Sequence, residues 1–385
     1  MSFPRLLHFY NQLIYLRFRE TVALTHNYFS AMKKMILTLA LSAVMLSAGA
    51  QITERRMATL VETDGTQVFY GANAAKEAYD AAKEGATIIL SEGKFDGIDM
   101  KEKAVKIYGT GMENDETGES LCTELSRITI NSDKYYDDSG KEYWAYPKGI
   151  HIEGAYVTWM SVHYTNEVPD LKLEDMTLTK CRFGSLNSGS SASCSFYAST
   201  KGVVFSQCAI LGGGLTFNKV QNDAILRNCW IQYANASSKD LKSAIIIDHC
   251  ILNSISYALK GYYTNNIFLN GGIPADAEGY NNIMVNKNGI DGNATGSGNW
   301  CGIETKGIFA EEGEDGSYAP GKKFTLKYPK TYVGTDGTEV GINGGVTPWN
   351  PISSIPRIVS SKIDNRAAAD GKINVSIKVE AQNRP

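Results

Sequence analysis

Between residues 176 and 284 the apolar and polar positions follow one short phrase, repeated with small changes. It reads Leu178-Thr-Lys-Cys181-Arg-Phe183, Phe205-Ser-Gln-Cys208-Ala-Ile210, Leu226-Arg-Asn-Cys229-Trp-Ile231 and Ile247-Asp-His-Cys250-Ile-Leu252. It recurs as Tyr263-Thr-Asn-Asn266-Ile-Phe268 and Gly279-Tyr-Asn-Asn282-Ile-Met284. Counted from the Cys or Asn, the spacings are 27, 21, 21, 16 and 16 residues. Three positions stay mostly apolar or small: three before this reference, the reference itself, and two after it. Met176, Val203, Ala224 and Ile245 form a further column five residues before it. Self-similarity of this kind marks a solenoid. The segments within each repeat are too short for helices and alternate as strands do. The columns also mix Leu, Ile, Phe, Cys and Tyr, where a leucine-rich repeat demands Leu. The pattern therefore predicts an all-β parallel β-helix whose coils stack about 4.8 Å apart, with apolar inward columns and variable outward ones. Asn228, Asn265 and Asn281 suit a tight turn, because Asn tolerates the left-handed backbone region.

The flanks supply the ends of the stack. Residues 51–70 lead in with a strand ending at Phe69-Tyr70. Ala74–Ala82 carries an Ala/Tyr face at helical spacing and stops at Gly85. The strand Thr87–Leu90 follows. Earlier coils fall at 105–108, 127–130, 150–152 and 171–173, separated by polar loops over 109–124 and 131–148, the second rich in Tyr and Trp. Beyond Asn282 the repeat fades, and 311–323 reads as an exposed loop. The Pro-containing stretch 347–356 reads as a linker. Two alternating strands, Arg357–Ile363 and Lys372–Ala381, predict a hairpin over the C-terminal end of the stack or the stub of a small β module within 357–385.

The chain here resembles the secreted bacterial right-handed parallel β-helix proteins of the pectate-lyase-like (pectin lyase-like) superfamily, over most of residues 70–345. The resemblance implies a right-handed single-stranded coil over 71–346, with a short N-terminal capping helix over the first coil and C-terminal β-strands. It also implies a closing coil within Phe324–Gly345. It speaks for fold rather than activity, since the superfamily includes lyases, hydrolases and non-catalytic surface proteins.

Residues 32–50 read as an export signal: Met32-Lys33-Lys34, an apolar run from Met35 to Leu46, and Ala48-Gly49-Ala50 before Gln51. The run is too short for a membrane span, and residues 1–31 read as a start-site extension. The expected location is extracellular, cell-surface or periplasmic. Removing residues 1–50 takes five Lys/Arg and one Glu from totals of 38 and 41, leaving a net charge of −7. Nucleic acid is excluded as a partner on this balance, and extracellular polysaccharide is expected instead. Cys181, Cys208, Cys229 and Cys250 share one inward column and read as buried free thiols, while a bridge among Cys122, Cys194 and Cys301 stays open. No Cys/His spacing fits a zinc site.

Candidate chemistry is sparse. Ile246-Ile247-Asp248-His249 is similar to the Ile-Asp-His segment of one pectate lyase family, but Ile246 stands where that family has Trp and no Arg-x-Pro segment follows. Asp248 stacks beside Arg227, which reads as a surface ion pair. A hydrolase of the galacturonase type needs clustered Asp pairs and a Gly-His-Gly segment, which the chain lacks. No cofactor is assignable, and Ca²⁺ enters only with a lyase reading. His151 and Glu153 point outward together by alternation, with Trp159, His163 and Tyr164 close in sequence and Lys180 and Arg182 on the next coil. Sugar rings stack on Trp and Tyr faces, and the two cations suit an anionic glycan. These seven residues form the expected ligand face of a non-catalytic glycan-binding or surface protein, with a polysaccharide lyase on an acidic glycan as the alternative. A second outward column, Trp230, Ile251, Ile267 and Ile283, is too apolar for bare wall and must be covered by a loop, by the C-terminal strands or by a partner.

Overall fold

The computed structural model describes residues 56–380, apart from 115–121, 138, 169, 186–192, 220, 237–241, 257–258, 312–313 and 364–374. The signal-like stretch 32–50 and the segment before it lie outside the described residues.

Short alternating segments become strands, and the chain visits three sheets in turn. The first sheet has 12 strands, the second 10 and the third 6. Each strand of the repeat pairs in parallel with its counterpart one repeat later. Ile152, Leu178, Phe205, Leu226, Ile247 and Tyr263 thereby form one continuous inward column, and all six are fully buried. At the N-terminal end the lead-in segment is a hairpin, Met57–Glu62 with Gly65–Tyr70, whose first strand pairs antiparallel with Thr87–Leu90. Helix α1 (Ala74–Ala81) lays Ala74, Ala78 and Tyr79 against the same core. It ends before Gly85 because Ala82 is already extended.

The hydrogen bonds of the reference column explain why Cys gives way to Asn along it. Cys208 and Cys229 accept and donate in sequence: the Cys208 amide donates to Cys229 Sγ at 3.4 Å, and the Cys229 amide to Cys250 Sγ at 3.4 Å. Farther along, the Cys250 amide donates to Asn266 Oδ1 (2.8 Å), the Asn266 amide to Asn282 Oδ1 (2.9 Å) and the Asn282 amide to Asn299 Oδ1 (3.0 Å). Asn266 and Asn282 Nδ2 donate onward to the carbonyls of Ile247 and Tyr263. A thiol and an amide thus do the same work, each satisfying a buried backbone group that has no other partner. All seven cysteines are free. Burial pushes the thiols of Cys181, Cys208 and Cys229 well above their ordinary range, so they stay protonated donors.

Between the first and second sheets the coils of the repeat turn through one left-handed residue. Lys180, Gln207, Asn228, His249, Asn265 and Asn281 all have φ between 50° and 60°. Asn takes this region at low cost, but Lys, Gln and His do not. Their compensation comes from residues 332–354, which run back along the outside of the stack across this line of turns. Asn281 Nδ2 donates to Val333 O (2.8 Å), and Asn265 O accepts from the Gly341 amide (2.7 Å). Asn228 Nδ2 donates to both Ile342 O (2.9 Å) and Gly344 O (2.8 Å). Gln207 Nε2 donates to Pro348 O, and Lys180 Nζ to Ile352 O (2.9 Å). The strap lies so close that a Cβ on Gly344 would sit 2.5 Å from His249 Cδ2.

Two expectations are corrected by this path. Phe324–Gly345 is not a closing coil; its only described pairings are the isolated antiparallel bridges of Leu326 with Phe309 and Val333 with Glu339. Residues 347–356 are not a free linker either, since Thr347, Pro348 and Ile352 are tied to the turns and Ser354 to Glu153. The strap and the preceding segment cover the outward apolar column. Ile308, Phe309, Phe324, Leu326 and Val340 join Trp230, Ile251, Ile267 and Ile283 in a second buried cluster, and Trp230 Nε1 donates to Gly316 O at 2.9 Å. The strands Arg357–Ile363 and Val375–Glu380 pair with each other. They start three residues after Ser354 at the Glu153 coil, seven coils or about 34 Å from the last strand of the first sheet. That places the start of the hairpin far from the C-terminal end it was expected to cover.

Asn228→Ala should cost about 2–4 kcal/mol, from two lost hydrogen bonds and a left-handed Ala. Asn228→Gly should recover about 1 kcal/mol of this, the backbone part alone. Denaturant titration of the three proteins checks the order.

Candidate functional site

The seven residues expected to form one face fall on three separate parts of the stack. Strand His151–Glu153 belongs to the first sheet, and alternation does turn His151 and Glu153 to the same outer side. The strap then reaches Glu153. The Ser354 amide donates to Glu153 Oε1 at 2.8 Å, and the Glu153 and Lys180 side chains are both buried. His151 packs on Tyr108 with ring centroids 5.2 Å apart, and its Nε2 lies 3.5 Å from Glu153 Oε2. Glu153 and Lys180 thus hold the returning chain to the stack.

Arg182 stands on the second sheet, in the outer column Lys94, Glu124, Tyr156, Arg182, Ala209 and Trp230. Its guanidinium rests 3.8 Å above the Tyr156 ring, a cation–π contact. Trp159 precedes the third-sheet strand Met160–Val162, whereas His163 and Tyr164 follow it. Four extended residue steps separate Trp159 from His163 by about 13 Å, so the tryptophan does not share their corner.

His163 and Tyr164 do lie in a cluster of aromatic side chains where the chain leaves the third sheet. Backbone bonds stack the corner residues: the His163 amide on Ile130 O (2.8 Å), the Tyr197 amide on Val162 O (2.9 Å) and the Asn218 amide on Phe196 O (2.8 Å). His163 meets Tyr197 edge-on at 6.5 Å, and Lys219 Nζ sits 3.3 Å from the Tyr164 centroid. The loop 131–148 contributes an antiparallel hairpin, Asp133–Tyr136 with Glu142–Ala145. Tyr135 stacks on Tyr143 and donates to Lys101 O and Glu102 O, and Tyr146 donates to His163 O at 2.6 Å. Burial pushes the Tyr135 and Tyr146 phenols up to about 12, so both remain donors at neutral pH. Tyr164 and Tyr197 are 36% and 44% exposed, and Tyr136 and Tyr143 of the hairpin are 65% and 47% exposed.

Sequence reasoning missed Tyr197 and Lys219. The signal lay in Met160-Ser-Val-His163 and Cys194-Ser-Phe-Tyr197, which share an apolar–Ser–apolar–ring order on paired strands, hidden by an offset of 34 residues. The lyase-like phrase has a structural role instead. The register does place Arg227 beside Asp248, yet Asp248 Oδ1 accepts from Thr264 Oγ1 (2.7 Å) and Asn265 Nδ2 (2.9 Å) and lies 3.0 Å from His249 Nδ1. His249 is buried under the strap, with Nε2 3.1 Å from Thr338 Oγ1. Among the described residues no three His, Cys, Asp or Glu side chains gather as a metal-ligand set, and no helix is long and apolar enough to cross a membrane. Compared with protein-family models, curated proteins and solved structures, the chain gives no match.

Burial alone would push the Glu153 carboxyl up, but its contacts with His151 and Ser354, aided by the Lys180 charge, hold it below its usual 4.5. A carboxyl lowered by folding contributes stability above its unfolded pKa and loses it as pH falls through the folded value. Thermal unfolding measured between pH 7 and pH 3 should therefore show a drop below about pH 4.5 that is shallower in Glu153→Gln.

Proposed function

We propose that this chain is an exported right-handed parallel β-helix that binds extracellular polysaccharide along its third-sheet corner without cleaving it. The observation that carries this reading is the exposure of Tyr164 and Tyr197 on successive coils, flanked by His163 and Lys219. Corner residues repeat with the coil, about every 4.8 Å, so a linear polymer laid along the stack meets one ring after another. The apolar C–H faces of a sugar stack on phenol rings while their rims take hydrogen bonds. Lys219 and His163 add donors suited to an anionic group. The signal-like stretch 32–50 and the resemblance of the coil phrase to pectate-lyase-like proteins support an extracellular location. Carboxylates such as Glu124 and Asp99 close exposed pairs with Lys94 and Arg127, worth about 0–1 kcal/mol each.

Tyr164→Ala and Tyr197→Ala should each weaken retention in gels loaded with acidic polysaccharide by roughly two- to tenfold, the worth of one aromatic contact. Absorbance of unsaturated uronate should stay flat with and without Ca²⁺. A rise in that absorbance would establish the lyase alternative.

A further inference from the structure

The last coil leaves the core of the stack unfinished. On each of its three sides an inward column runs on into solvent. Ile273, Gly279 and Met284 are buried, and their register partners one coil on are Ile290, Gly296 and Cys301. Those three partners are exposed, Ile290 to 45%. Thr295–Ser297 and Trp300–Cys301 are the last strands of the first and second sheets, so each presents an edge with no strand beyond it. The Asn column stops in the same way. Asn282 donates its amide to Asn299 Oδ1, but the Asn299 amide finds no acceptor among the described residues.

Among the described residues nothing closes that end. The strap starts near it and runs away from it, from Val333 on the Asn281 turn to Ile352 on the Lys180 turn. The C-terminal hairpin begins seven coils back, about 34 Å away. Proteins guard open strand edges with charges, proline or a cover. Residues 289–303 hold one charged side chain, Asp291, and no proline. The chain without residues 1–50 carries a net charge of −7, so two copies meet least repulsion at this end. A cover must match two short strand edges and the exposed Ile290 at one cross-section. The same end of a second copy does so by symmetry, in an isologous contact. The opposite end does not, because the Met57–Tyr70 hairpin and helix α1 already close the core there. We propose that two copies of this chain join tail to tail, closing their last coils against each other. The pair stands whether or not the third-sheet corner binds polymer.

Sedimentation velocity of the whole protein over micromolar concentrations should show a monomer giving way to a dimer and to nothing larger. Ile290→Lys and Thr295→Lys each place a charge at an exposed position of that end, where two copies would set like charges against each other. Each should weaken the dimer about a hundredfold or more and leave the melting temperature of the monomer unchanged. Cys301 is the one exposed thiol of seven and reports the polarity of the pair. A short bismaleimide should link two unmodified copies through Cys301, and should fail to do so in Ile290→Lys or Cys301→Ser. A protein that stays monomeric through this range would overturn the proposal. So would a dimer indifferent to both lysine variants, or one that Cys301 does not link. A ladder of larger masses would also overturn it, because head-to-tail contact builds filaments.

Discussion

From Gly154 onward the coils of this protein turn from the first sheet to the second within a few residues, and they do so through one residue in the left-handed region. A parallel stack repeats that constraint once per coil, which lines the turns up along the molecule. Asn meets it at three coils and Gly154 at another. Lys180, Gln207 and His249 meet it against their own preference, at a cost of about 1–2 kcal/mol each. Their side chains offset this strain by gripping the strap. The line of turns and the strap are therefore one device, in which the backbone problem of the coil supplies the anchoring points for the chain's return.

That return solves a second problem. The second sheet carries Trp230, Ile251, Ile267 and Ile283 on its outer side, a surface that water would penalise by about 25 cal/mol for each Å² left exposed. Covering it with the same chain makes this wall two layers thick. Trp230 Nε1 and its bond to Gly316 O show that the polar rim of the covered surface is satisfied as well. Where the strap's apolar cover stops, at Ala209, the wall turns charged. The open corner of the third sheet lies elsewhere, on rings that nothing in the strap touches.

Much of this was legible because repetition makes register visible. The inward columns, the left-handed Asn residues, the free thiols and the need to cover the Trp230 column all follow from comparing one coil with the next. The strap was not legible, since it has no repeat of its own and its partners lie up to 201 residues away, as Ser354 and Glu153 do. The burial of Glu153 and Lys180 went unseen for the same reason. Alternation placed His151 and Glu153 outward correctly, but outward is not exposed when a non-repeating segment lies on top. His163 and Tyr164 stand out in the sequence because they follow a strand, while the kinship of Tyr197 and Lys219 with them is hidden by the variable loop lengths that offset one coil from another.

The central claim is that residues 332–354 are an integral layer of the wall rather than a loose tail. Native-state hydrogen exchange of that segment tests it most directly. The amides of Val340, Gly341, Trp349 and Ser354, which donate to Tyr332 O, Asn265 O, Ile342 O and Glu153 Oε1, should be protected nearly as well as the coil amides beneath them. Exchange of those four at the rate of exposed loops, with the coils still protected, would contradict it.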